Sequence, residues 1–176
     1  MKTENQNFEW RLCKTYFSIL EMDMTSEVSL DKICKEAKIS RAEAEKIVPN
    51  NSSNYKYFFL KSLISQIDRE VLTELKEDIA DDITSSTYDK ILEGLSLRFE
   101  KYLEFKQAFK ILSNNTIQKV EVFFRVFQEN LYFTTSLLNL VENDKYCGKT
   151  ALKSIALNII FIKGLESFLK NENNDI

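Results

Sequence analysis

The stretch Ser29-Leu30-Asp31-Lys32-Ile33-Cys34-Lys35-Glu36-Ala37-Lys38-Ile39-Ser40-Arg41-Ala42-Glu43 is the part of the chain on which the reading of the fold turns. Leu30, Ile33, Cys34 and Ala37 stand at i, i+3, i+4 and i+7, which is one face of a helix. Ser29 before them is a residue type that caps helix N-termini with its side-chain oxygen. Lys38-Ile39 interrupts the period, and Ser40-Arg41-Ala42-Glu43 has the S-x-x-E spacing of a capping box, opening a further helix that buries Ala44, Ile47 and Val48. Two short helices joined by a turn of about three or four residues have helix-turn-helix spacing. Ala37 is small enough to sit where the helices approach, and Ile39 can plug the space between them. In that geometry the exposed N-terminal residues of the second helix face a major groove, and an ordinary helical hairpin is the other arrangement with the same pattern.

Outward from this stretch, apolar residues recur at helical spacing almost everywhere. Trp10, Cys13, Phe17 and Leu20 make the face of a first helix ending near Met24, and Pro49-Asn50-Asn51-Ser52-Ser53 is the clearest breaker after the third. Phe59, Leu63, Ile67 and Val71 line a long fourth helix running towards Leu75 or Ile79. Ile91, Leu95, Phe99 and Tyr102 line the next, and Phe105 to Leu112 forms a shorter one. Val120, Phe124, Phe127, Leu131 and Leu138 belong to a long helix reaching Val141. The last begins around Thr150 and is apolar on two faces, Leu152, Ile155, Ile159 and Ile160 on one and Leu157, Phe161, Leu165 and Phe168 on the other. A helix apolar all round is either central in a core or shared with a second subunit.

Composition excludes much. Three glycines and one proline in 176 residues argue against sheets, Gly-rich phosphate loops and Pro-rich linkers. The absence of histidine removes the commonest general base, the usual zinc ligand and the partner of Ser or Cys nucleophiles. Cys13, Cys34 and Cys147 are odd in number and far apart, so neither a disulfide framework nor a zinc site is expected. A formal charge of −3 gives no bulk attraction to nucleic acid, although a local basic face is compatible with it. Gly148-Lys149-Thr150 has the tail of a phosphate loop without its first glycine, whose place is Asn143. The polar start Met1-Lys2-Thr3-Glu4 has no apolar signal region, and Lys153, Asn158, Lys163 and Glu166 interrupt the most apolar stretch, so no membrane span is expected. The expectation is a non-enzymatic cytoplasmic protein with no cofactor and no metal.

With these residues in place, the chain resembles the TetR family of transcriptional regulators over nearly its full length. Leu30, Ile33, Ala37, Ile39 and Ser40 match the family's apolar, I-A and A-G-V-S positions, and Pro49 matches its F-P-S-K stretch. The run Tyr88-Asp89-Lys90-Ile91-Leu92-Glu93-Gly94-Leu95 is similar to a proteobacterial branch that shades into the COQ9-like proteins, which share the fold and bind lipid in ubiquinone biosynthesis. Lys145-Tyr146-Cys147-Gly148-Lys149-Thr150-Ala151-Leu152 also looks somewhat like the latter group's signature. The departures are the family's turn glycine, which is Lys38 here, its third-helix aromatics, which fall at Glu45, Ile47 and Val48, and its fourth-helix lysine, which falls at Asn51.

The resemblance implies an all-α, TetR-like fold of about nine helices, with a three-helix helix-turn-helix head over residues 1–51 and a helical ligand-binding and dimerisation bundle over 52–176. It implies a regulator that binds double-stranded DNA, with Ser40 and Arg41 at the groove and Lys38, Lys46 and Lys56 on phosphates. A small apolar effector or lipid would lie in the C-terminal core, walled by Phe99, Tyr102, Phe123 and Phe127, and plain packed core is the other reading of the same aromatics. The last two long helices, near Phe123 to Val141 and Thr150 to Leu169, would pair two copies so that the reading heads span half-sites roughly 34 Å apart. The alternative is a COQ9-like lipid- or quinone-binding accessory protein that keeps the fold without DNA, and the acidic residues of the third helix favour it.

Overall fold

The protein is described here by a computed structural model, which places the backbone of residues 2–25, 27–49, 55–81, 84–113, 116–142 and 147–171. Side chains are described over 7–25, 27–49, 55–80, 84–113, 126–142 and 150–171. Among these residues the chain is all-helical and contains no strand. The helices are α1 (Lys2–Asp23), α2 (Leu30–Ala37), α3 (Arg41–Ala44), α4 (Tyr55–Asp81), α5 (Thr87–Leu103), α6 (Lys106–Ser113), α7 (Thr116–Val141) and α8 (Cys147–Lys170). Eight are seen among the described residues where about nine are expected.

The chain divides into two compact units, Met1–Ser65 with Gln107–Arg125, and Gln66–Lys106 with Val126–Ile176. The expected boundary between residues 51 and 52 lies outside the described residues. In the first unit α1 buries Leu12, Cys13, Tyr16, Phe17, Ile19 and Leu20. Tyr16 stacks on Phe59 with ring centres 5.1 Å apart, and the Tyr55 hydroxyl donates to the Val28 carbonyl. The Glu21 carboxylate accepts from the Ala108 N–H at 3.2 Å, satisfying one of the donors that α6 leaves open in its first turn.

In the second unit the buried stripe of α5 is Gly94, Arg98 and Tyr102. This corrects the sequence expectation in part: Tyr102 is buried as expected, but Ile91, Leu95 and Phe99 are only half-buried. The reason is that the core takes a charged residue with its partner. Arg98 is fully buried against Asp68, so a count of apolar positions alone selects the neighbouring face. Gly94 lies where a Cβ would come within 2.8 Å of a Leu137 methyl and 3.0 Å of a Leu75 methyl, so a larger residue there requires those side-chain ends to shift. α7 and α8 meet through a polar seam. Asn158 donates to the Phe127 carbonyl at 3.0 Å, and Thr135 Oγ1 lies 2.9 Å from Ser154 Oγ.

α8 buries only part of what its sequence offers. Phe161 is 1% exposed, whereas Leu152, Ile155, Ile159 and Ile160 are 72%, 42%, 52% and 62% exposed. One of its two apolar faces lies on the surface of this chain.

Candidate functional site

Local chemistry builds the α2–turn–α3 segment. Ser29 accepts from the Lys32 N–H through its side-chain oxygen at 3.3 Å, and Leu30, Ile33, Cys34 and Ala37 are the buried residues of α2. The helix ends on Lys38, whose backbone is left-handed (φ 52°, ψ 44°). Its N–H bonds to the Lys35 carbonyl at 3.2 Å, and the Ile39 N–H reaches back to the Cys34 carbonyl at 3.0 Å. Those two bonds are a Schellman closure, with buried Ile39 as its apolar contact. The left-handed position is where glycine costs least, and a lysine holds it here.

A residue outside the motif secures this turn. Arg11 of α1 donates to the Ala37 carbonyl through Nε at 3.0 Å and through Nη2 at 2.5 Å, and to the Lys38 carbonyl at 3.0 Å. A cation on the open carbonyls at a helix C-terminus is stabilised by hydrogen bonding and by the helix dipole. Nothing in the spacing of Arg11 marks it for this role, because its partners lie 26 and 27 residues away.

Ser40 and Glu43 form the expected capping box. Ser40 Oγ accepts from the Glu43 N–H at 3.3 Å, and the Ser40 N–H donates to Glu43 Oε2 at 3.1 Å. The Ser40 hydroxyl and N–H together hold the Glu43 carboxyl below its ordinary range. The α-helix itself is only Arg41 to Ala44, and turns closed by Ile47 and Val48 N–H bonds to the Ala44 carbonyl carry it on to Val48. Ala44 and Val48 are buried, Ile47 is half-buried, and Arg41, Ala42, Glu43, Glu45 and Lys46 are exposed.

The five residues expected at DNA all belong to this unit but differ in state. Lys38 and Lys46 are exposed, with no salt bridge among the described residues. Ser40 is occupied in its capping box. Lys56 pairs with Glu27 at 2.7 Å. Arg41 donates through Nε to Glu45 at 2.7 Å and through Nη1 to Asp31 at 2.8 Å, so carboxylates of α2 and of its own turn hold it. The bonds from Glu45, then Asp31, raise its already high pKa further. Arg41 and Glu45 also edge an open cleft of about 750 Å³ lined by Glu27, Val28, Leu30 and Tyr55. The Arg41–Glu45 pair has a sequence signal, the i, i+4 spacing of opposite charges on a helix. The Asp31 contact crosses from one helix to the other and has none.

Of the four expected ligand-lining aromatics, Phe99, Tyr102 and Phe127 belong to the second unit. Phe99 stacks on Phe161 at 4.7 Å and lies 5.5 Å from Phe168. Tyr102 is buried with its ring 6.2 Å from Phe161, so the structure brings Phe99 and Tyr102 together around that ring. Phe127 is half-buried in α7, and the side chain of Phe123 lies outside the described residues. The group at the centre is one that the apolar period of α5 does not select. The Arg98 guanidinium donates to both oxygens of Asp68 and to Asn130, and it lies 4.2 Å from the Phe133 ring centre and 4.5 Å from that of Phe161. Burial pushes the Asp68 carboxyl up to about 6 despite the opposing pull of Arg98.

Cys13 is buried, and desolvation raises its thiol far above the range of a nucleophile. No three His, Cys, Asp or Glu side chains gather as a metal site among the described residues, and none of the described helices is long and apolar enough to cross a membrane. The sequence matches no family model, and it matches no curated protein and no solved structure.

Proposed function

We propose that this chain is a non-enzymatic, TetR-like DNA-binding regulator that uses α2 and α3 as a helix-turn-helix. The observation that carries this reading is the exposed start of α3, capped by Ser40 and Glu43 and joined to α2 by a turn that Arg11 holds from behind. Such an element is rigid at its base and open to a partner, as insertion into a groove requires. Lys38 and Lys46 are the cations free to meet phosphates. Ser40 and Arg41 stand nearest the groove, and Lys56 lies at the edge of the same face. The exposed apolar stripe of α8 supports pairing of two copies through α7 and α8, and the aromatic residues around Phe161 support an apolar effector in that half of the chain. The regulator works in the cytoplasm.

The test is binding to a mixed-sequence duplex as salt is varied. Affinity should fall steeply with salt, and Lys38→Ala and Lys46→Ala should each weaken it and flatten the log–log slope by about 0.9. Absence of any duplex binding in dilute salt overturns the reading.

A second reading, a lipid- or quinone-binding accessory protein with the same fold, is favoured by the neutralisation of Arg41 and Lys56. Mass spectrometry of the intact purified protein separates the two: a stoichiometric co-purified quinone or lipid, without duplex binding, supports the second.

A further inference from the structure

We infer that Asp31 and Glu45 act as a clamp on Arg41 that sets how tightly the α2–α3 face grips nucleic acid. This inference rests on the DNA-binding reading of that face. Arg41 is the first residue of α3, the place from which a recognition helix meets the groove, and its guanidinium is shared between two carboxylates at 2.7 and 2.8 Å. A guanidinium already bonded to carboxylates gains little by exchanging them for a phosphate or a base edge. It must also leave both carboxylates beside the DNA, where they are repelled. Asp31 is 80% and Glu45 47% solvent-exposed, and each accepts a hydrogen bond from Arg41. They form part of no buried core, so their removal frees the cation without dismantling the fold. The other cations of the face divide in the same way, with Lys32 held by Asp23 at 2.5 Å and Lys38 and Lys46 in solvent. Among the described residues of this face Arg41 alone is gripped from two sides, and the grip ties α2 to α3.

The experiment measures binding of the full chain and of Asp31→Asn, Glu45→Gln and Glu36→Gln to a fluorescent mixed-sequence duplex between about 50 and 200 mM salt. Glu36 is an exposed acid of α2 with no hydrogen bond to Arg41 among the described residues, so it reports the effect of charge alone. Asp31→Asn and Glu45→Gln should each tighten binding severalfold more than Glu36→Gln, with the salt slope steepened by about 0.9 as one more phosphate is neutralised. In an Arg41→Ala background the advantage of Glu45→Gln over Glu36→Gln should vanish. Equal gains from all three, or an advantage that survives without Arg41, overturn the clamp while leaving DNA binding intact. If the wild type binds no duplex and Glu45→Gln does, the clamp is supported. If neither binds, the clamp and the DNA-binding reading fall together. Circular dichroism of each variant establishes that the fold is retained.

Discussion

Arg98 on α5 and Asp68 on α4 form a two-pronged buried ion pair, Nε to Oδ1 at 2.6 Å and Nη2 to Oδ2 at 3.0 Å. The guanidinium is completely shielded from solvent, Asn130 takes a third donor at 2.6 Å, and rings of Phe133 and Phe161 lie over it. Such a pair costs desolvation energy to assemble and is expensive to break on one side only. Its geometry joins three helices, α4, α5 and α7, at one atom group.

Removing either partner should therefore be severe. Asp68→Ala leaves a buried cation unpaired and is expected to cost about 3–5 kcal/mol, read from denaturant unfolding, with Arg98→Ala comparable. Replacing both with apolar residues of similar volume, Asp68→Leu with Arg98→Met, should recover most of that loss. A single-site loss under about 1 kcal/mol would mean that the pair is not buried as described.

The same carboxyl predicts a pH dependence. Its pKa is about 6 in the folded state against an ordinary 3.8, so the folded chain binds the extra proton between those values. The stability contributed by Asp68 is fully present below about pH 4 and is lost as pH rises through 6. Asp68→Asn should remove that slope from a plot of unfolding free energy against pH, and an unchanged slope would assign the titration elsewhere.

Lys38 offers a test of the turn. A non-glycine residue in the left-handed region is strained by its Cβ, so Lys38→Gly should stabilise the chain by about 0.5–1 kcal/mol. Arg11→Ala should destabilise by about 1 kcal/mol, because the carbonyls of Ala37 and Lys38 lose a charged donor. Thermal unfolding reads both, and loss of stability in Lys38→Gly would contradict the backbone assigned to the turn.

The open face of α8 predicts an oligomer. Ile159→Glu should convert a dimer to a monomer in light scattering while changing helix content little, since this side chain is half-exposed in the single chain. A wild-type chain that stays monomeric at high concentration would remove the pairing through α7 and α8.

Much of the fold is legible because its signals are local. Ser29 and the Ser40–Glu43 box mark where α2 and α3 start, since a cap needs only residues three positions apart. The site is less legible. Arg41 and Glu45 are readable as an i, i+4 pair, but Asp31 reaches Arg41 from a different helix and Arg11 reaches the turn from a third. On α5 the apolar period points to Ile91, Leu95 and Phe99, while the core takes Gly94 and Arg98.

Helical class, most helix limits and the two apolar faces of the last helix follow from the order of residues, because backbone periodicity and end capping act over one or two turns of chain. Which face of that helix stays wet, that Arg98 lies in the core with Asp68, and that Asp31 joins Glu45 on Arg41 follow only from packing. Each depends on groups ten or more residues apart meeting at hydrogen-bond or contact distance, and no local spacing encodes that meeting.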